Sequence, residues 1–241
     1  MLMNNKNILV QELYRLSELF WQVPNQSPMG GNPSEQVLEQ MESLLMNYLK
    51  DHPQDTDMWL KLTMVEFTPP WEDYDRIEKY INSILKYDEN NVQALLVLAN
   101  TQCALRGEIT EDLFIRLQNV CNVTTNKELL SMIYLAIAWY CYSWPSYRDE
   151  KKYELSLLKS IQYCSEYVKN YARLGELYLK TGRDIEGKKM IHCALANVRK
   201  IYGSDDDSVY DITDVTSFFD EYYKGTHITT GSLESLRKLL D

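Results

Sequence analysis

The chain has 241 residues, is 45% hydrophobic and 12% aromatic, and carries a formal net charge of -10. That length supports one or two domains with a shared core, and only 7 Pro and 9 Gly exclude a fibrous or disordered class. The acidic balance argues against a sequence-independent grip on phosphate backbones, so nucleic acid is not an expected partner; the acidic surface either serves solubility or selects a basic protein.

Residues 8 to 22 read as a first helix, with Leu9, Leu13, Leu16, Leu19 and Phe20 at near-helical spacing. Gln22 to Pro33 holds three prolines and paired glycines and reads as a loop or lid. From Ser34, the residues Val37, Leu38, Met41, Leu44, Leu45 and Tyr48 form a second helix, which Asp51-His52-Pro53 ends. A third helix starts near Thr56, runs through Trp59, Leu62, Val65 and Glu66, and stops at Pro69-Pro70. A fourth, from about Asp73, carries Ile77, Ile81, Ile84 and Leu85 and closes at Asp88.

The pattern then repeats. Residues 92 to 105 and about 110 to 121 form the next pair, and Thr124-Thr125-Asn126 supplies capping side chains for the helix that follows. Lys127 to Ser143 and Asp149 to Tyr163 are split by Trp144-Pro145-Ser146. Val168 to Lys180 and Ile185 to Ile201 are split by Thr181-Gly182-Arg183, where Gly182 suits a left-handed helix end. Past Gly203 the register is lost. An acidic helix is expected over about 207 to 223, then a break over Gly225 to Thr230, then a last helix to Leu240.

A local sentence recurs within these pairs: Trp59-x-x-Leu62, Leu95-x-x-Leu98-Ala99, Tyr134-x-x-Ile137-Ala138 and Tyr171-x-x-Leu174-Gly175-x-x-Tyr178, spaced 36, 39 and 37 residues apart. Such a period indicates stacked helical hairpins. The run Tyr171 to Tyr178, followed by Gly187, Ile191 and Ala194, resembles the signature of tetratricopeptide repeats, and the units at Thr56, Asp88 and Tyr134 are similar. The resemblance covers roughly residues 35 to 202. It implies an all-α fold, a right-handed superhelix of antiparallel hairpins. The expected organisation is an N-terminal helix and loop over 1 to 33, a repeat domain over 34 to 202, and an acidic helical cap over 203 to 241.

Catalytic chemistry is not signalled. There is no phosphate-binding glycine loop or nucleophile elbow, and His52, His192 and His227 lack metal-ligand spacing. Glu35, Glu39 and Glu42 share a helix face, but a surface position explains them without an active site. Asp205, Asp206 and Asp207 read as a solvated face, a partner-facing acidic patch, or a weak cation cluster without a calcium-loop pattern. No enzyme, metal or cofactor is expected.

Cys103, Cys121, Cys141, Cys164 and Cys193 are odd in number and include no C-x-x-C pair, so they read as buried thiols in a reducing compartment. Met1 to Val10 shows no secretion signal, and the most apolar window, Leu129 to Trp144, falls short of a membrane span. A cytoplasmic location without membrane attachment is the expectation.

The resemblance implies that the first helix of each hairpin lines a partner-facing surface. On this chain that surface would carry Asp57, Leu60, Met64 and Phe67; Gln93, Leu96, Asn100 and Cys103; Met132, Leu135, Trp139 and Tyr142; and Lys169, Ala172, Glu176 and Lys180. The partner-binding residues expected from it are Met64, Phe67, Asn100, Trp139, Tyr142, Glu176 and Lys180, with Asp205, Asp206 and Asp207 as an acidic adjunct. Trp139 and Tyr142 either offer an aromatic anchor to a protein partner or pack inside the superhelix. A small acidic repeat protein without catalytic residues resembles bacterial immunity proteins that occlude a cationic toxin. A scaffold or assembly adaptor, or a regulatory peptide receptor, stands beside that reading, and the oligomeric state is open.

Overall fold

The computed structural model describes residues 5–23, 32–202, 215–217 and 230–240, and among these the regular structure is entirely helical. The helices are α1 (Lys6–Gln22), α2 (Pro33–Asp51), α3 (Thr56–Phe67), α4 (Tyr74–Tyr87), α5 (Val92–Arg106), α6 (Glu111–Val120), α7 (Lys127–Ser143), α8 (Glu150–Tyr163), α9 (Val168–Lys180), α10 (Asp184–Tyr202) and α11 (Thr230–Lys238). Short 3-10 turns occupy Pro145–Tyr147 and Val215–Ser217. The helices α3 with α4, α7 with α8 and α9 with α10 pair as antiparallel hairpins like those of tetratricopeptide repeats.

Each start is dictated locally. An exposed peptide N–H at a helix N-terminus needs an acceptor, and Asn32, Asp55, Asp73, Asn91, Asn126 and Asp149 each supply one to a residue two or three positions on. The ends are equally chemical. His52 stops α2 and stacks on Tyr48 with ring centroids 4.2 Å apart. At the α9–α10 turn Gly182 takes φ 77°, a conformation that a side chain disfavours.

The chain divides into two compact units, Met1–Leu113 with Ile212–Phe219, and Phe114–Asp211 with Asp220–Asp241. In the first, Leu9, Leu13, Leu16 and Phe20 of α1 join Val37, Leu38, Met41 and Leu45 of α2 and Leu62 and Val65 of α3 in one core. Each fully buried aliphatic side chain there contributes about 1.5–3 kcal/mol. The turn at 215–217 completes this core: Val215 is 1% exposed, its N–H donates to Ser17 Oγ at 3.2 Å, and Lys61 Nζ donates to Thr216 Oγ1 at 2.8 Å. Of the acidic helix expected over 207 to 223 only 215–217 is described, as a 3-10 turn, and the rest of that stretch lies outside the described residues, as does most of the expected loop after α1.

In the second unit α9 and α10 approach closely. A Cβ on Gly175 would stand 2.6 Å from Ile191 Cδ1, and one on Gly187 would stand 2.7 Å from Leu179 Cγ. These are the small positions that the repeat signature places in its best-matched hairpin. Leu233 and Leu236 of α11 cover the far side of that hairpin, against a core holding Val168, Ile191, Ala194, Leu195 and Val198.

Candidate functional site

The first helices of the hairpins are more enclosed than expected. On α3 every residue from Leu62 to Glu66 is buried, because α2, α4 and the 215–217 turn all pack against this helix. Met64, expected to face a partner, is consequently 1% exposed and offers no surface. Leu96 and Met132 are buried likewise, since α5 and α7 bury several consecutive residues rather than a single stripe, and Ala172 is buried on α9. Phe67 is half-buried with its ring perpendicular to Tyr74, and Asn100 is half-buried on α5.

Of the expected positions, Asp57 at the start of α3 and Tyr142 and Lys180 at the ends of α7 and α9 stay exposed. In the second unit Tyr142, at the end of α7, is 37% exposed and stacks on Tyr153 of α8 at 4.7 Å. Lys180, at the end of α9, reaches the same ring: its Nζ donates to Tyr142 Oη at 3.3 Å and lies 5.6 Å from the ring centre. Residues 38 positions apart in the chain thus share one contact. Glu176, one turn back on α9, pairs with Arg173 at 3.3 Å. Burial pushes the Tyr153 phenol up to about 12, opposed by Arg173 and reinforced by Glu176 and Tyr142, so these groups form one electrostatic neighbourhood.

Trp139 is half-buried, 5.0 Å from Tyr140 and 6.3 Å from Trp144 between ring centres. The structure places it between the two readings of its sequence position: one side packs on neighbouring aromatics and the other meets solvent. Lys169, partly buried at the start of α9, has its ammonium lowered to about 8 by burial, with Arg173 acting in the same direction. The resulting surface combines aromatic rings, which bind with little loss of conformational entropy, with Lys180, Arg173 and Glu176 as polar contacts. Asp205, Asp206 and Asp207 lie outside the described residues.

Two constellations escaped the sequence reading. One is Tyr153 and Arg173, which complete the aromatic and charged surface from α8 and α9. The other is in the first unit, where Arg76 pairs with Glu42 and also stands 3.2 Å from Oε1 of the fully buried Glu66. Arg76 further lies 5.9 Å from the rings of Trp71 and Tyr80. Glu66 follows Leu62 by four positions inside an apolar row, which was the available signal that it would point inward.

Among the described residues no group of three or more His, Cys, Asp or Glu could hold a metal ion, and no helix is long and apolar enough to cross a membrane. All five cysteines are free thiols, but only Cys141 is fully buried, and its thiol is pushed up to about 11 by desolvation.

No protein-family model and no curated protein matches the chain. Solved structures do. PilF of Pseudomonas aeruginosa aligns with a TM-score of 0.59 at 12% identity, over 96% of this chain and 98% of its own. A thermophilic TPR protein of Thermus thermophilus aligns at 0.52 with 18% identity, over 79% and 92%. MamA aligns at 0.50 with 16% identity, over 71% and 94%. Identities this low speak to the fold alone, and with the paired helices they establish an all-α solenoid of antiparallel hairpins resembling tetratricopeptide repeats.

Proposed function

We propose that this chain is a non-catalytic protein-binding module whose partner seats on the surface formed by Trp139, Tyr142, Glu176 and Lys180. The observation that supports it is the Tyr142–Lys180 contact, which joins the ends of α7 and α9 beside the Tyr153 ring and leaves amphipathic aromatic surface in solvent. Interface hot spots favour such residues: a ring gives large contact area and its hydroxyl gives direction.

A narrower reading makes the partner a cationic enzyme, occluded by this chain as an inhibitor or immunity protein in the cytoplasm. The net charge of -10 supports it, because opposite charge accelerates encounter and disfavours acidic competitors. The test is affinity capture from the native host at low and high salt, with the wild-type chain and the Tyr142→Ala and Lys180→Ala variants as baits. A stoichiometric protein held by the wild type and lost from both variants, with melting unchanged, is the expected result. Equal capture by all three baits would rule out this surface, and a neutral partner insensitive to salt would rule out the cationic form.

A further inference from the structure

A second feature of the same unit carries an inference about a different partner chemistry. Where α6 ends, its last turn meets α7 and α8 around a cleft of about 270 Å³. Ile137 and Tyr134 of α7 line it, Leu155 of α8 stands 59% exposed beside it, and Lys152 and Lys159 of α8 flank it. None of its lining residues is acidic.

Two lysines held on aromatic faces flank this cleft together, whereas Lys86 and Lys180 rest on rings singly. Elsewhere among the described residues, Arg76, Arg106, Arg173, Arg183 and Lys200 pair with carboxylates. Lys152 and Lys159 instead rest on aromatic faces, 5.0 Å from the Phe114 ring and 4.8 Å from the Tyr134 ring. Lys159 also donates to Tyr134 Oη at 3.4 Å, and neither lysine meets a carboxylate among the described residues. Aromatic faces hold a lysine by its stem and charge while leaving ammonium donors for something else. Two such cations, without a carboxylate partner among the described residues and with no acidic residue lining the cleft, leave their charge available to an anionic group.

Geometry narrows the occupant. The cavity is smaller than the ~300–1,000 Å³ typical of small-molecule pockets, and suits one branched or aromatic side chain. Lys152, Leu155 and Lys159 fall on one face of α8. Seven residues of helix place the two lysines about 10.5 Å apart along the axis, a distance that a peptide in the polyproline II form nearly covers in three residues at ~3.1 Å each, with side chains three positions apart on the same side. Cys121, in the wall, has its thiol raised by burial and acts as packing, not as a nucleophile.

We propose that this cleft docks an acidic segment of a partner protein, with two carboxylates three positions apart on Lys152 and Lys159 and an apolar side chain between them against Ile137, Tyr134 and Leu155. The site draws on α6, α7 and α8 and shares no residue with the Tyr142–Lys180 surface.

The test selects random peptides displayed on phage against the intact chain. The expected winners carry Asp or Glu at positions three apart flanking Leu, Phe or Trp. By fluorescence polarisation, synthetic versions should bind the Lys152→Glu/Lys159→Glu variant at least tenfold more weakly, and Leu155→Ser, a neutral change at an exposed position, should weaken them similarly. The Tyr142→Ala/Lys180→Ala variant should bind them as the wild type does, so failure of the Tyr142–Lys180 surface and failure of the cleft give different results. No enriched class, an enriched basic class, or acidic peptides that bind the charge-reversed and Leu155→Ser variants undiminished would overturn the proposal.

Discussion

Replacing Glu66 with Gln should make the protein more stable at alkaline pH and leave it almost unchanged at acidic pH. The Glu66 carboxylate is fully buried. Desolvation, with a smaller contribution from nearby Asp73, raises its carboxyl to about 7. Arg76 opposes this at 3.2 Å, but its orientation gives Glu66 no hydrogen bond and Glu42 already claims it, so desolvation prevails. A carboxyl that is harder to ionise when folded than when unfolded contributes its full stability below the unfolded value near 4.5, and loses it as pH rises toward 7. At 1.36 kcal/mol per pH unit the loss reaches a ceiling of about 3 kcal/mol by pH 8 and is under about 1 kcal/mol at pH 5. Gln keeps the shape and the neutrality at every pH. Urea unfolding of both proteins across pH 5 to 8 should show the difference growing in favour of the variant. A difference independent of pH, or a variant less stable at pH 8, would mean that Arg76 neutralises Glu66 after all.

Other substitutions test the packing and the surface. Trp139→Ala removes a half-buried ring lying against Tyr140 and Trp144, and should cost about 2 kcal/mol in unfolding titrations, below the ~3–5 kcal/mol of a core Trp, while weakening partner binding more than tenfold by calorimetry. Gly187→Ala adds a Cβ 2.7 and 2.9 Å from Leu179 side-chain atoms and 3.0 Å from its backbone N; overpacking of about 1–3 kcal/mol should exceed the ~1 kcal/mol gained in helix propensity, and a more stable variant in urea would show that α9 and α10 can part. Val215→Asp buries a charge in the core of the first unit and should strip amide-exchange protection from α1 and α3; unchanged protection there would deny the turn a structural role.

The helices were legible because their boundaries are chemical and local. Asn126 caps α7 and Trp144-Pro145 ends it, so Lys127–Ser143 could be read directly; Gly182 likewise fixes the end of α9. The close approach of α9 and α10 was legible in Gly175 and Gly187, since only a missing side chain admits Ile191 and Leu179. The site was legible only in part. The repeat register placed Tyr142 and Lys180 on equivalent faces, and they meet. It also assigned Met64 to an open surface, and no local rule contradicts that, because a turn that meets Lys61 from 155 positions along the chain helps enclose α3. The cation cleft was missed because lysines seven apart read as an ordinary solvated face until Tyr134 and Phe114 arrive from other helices.

The turn at 215–217 also bears on the birth of the protein. Val215 and Ser17 are joined by a hydrogen bond that spans 198 positions of the chain. At ribosomal rates of ~5–20 residues per second, α1 waits on the order of 10–40 s for that contact to be synthesised. Throughout that interval the nascent first unit has Leu13, Leu16 and Leu62 without one of the side chains that closes their core. A chain halted before Val215 would therefore present this incomplete apolar surface to chaperones and proteases, so a premature stop near the C-terminus would damage the first helices made.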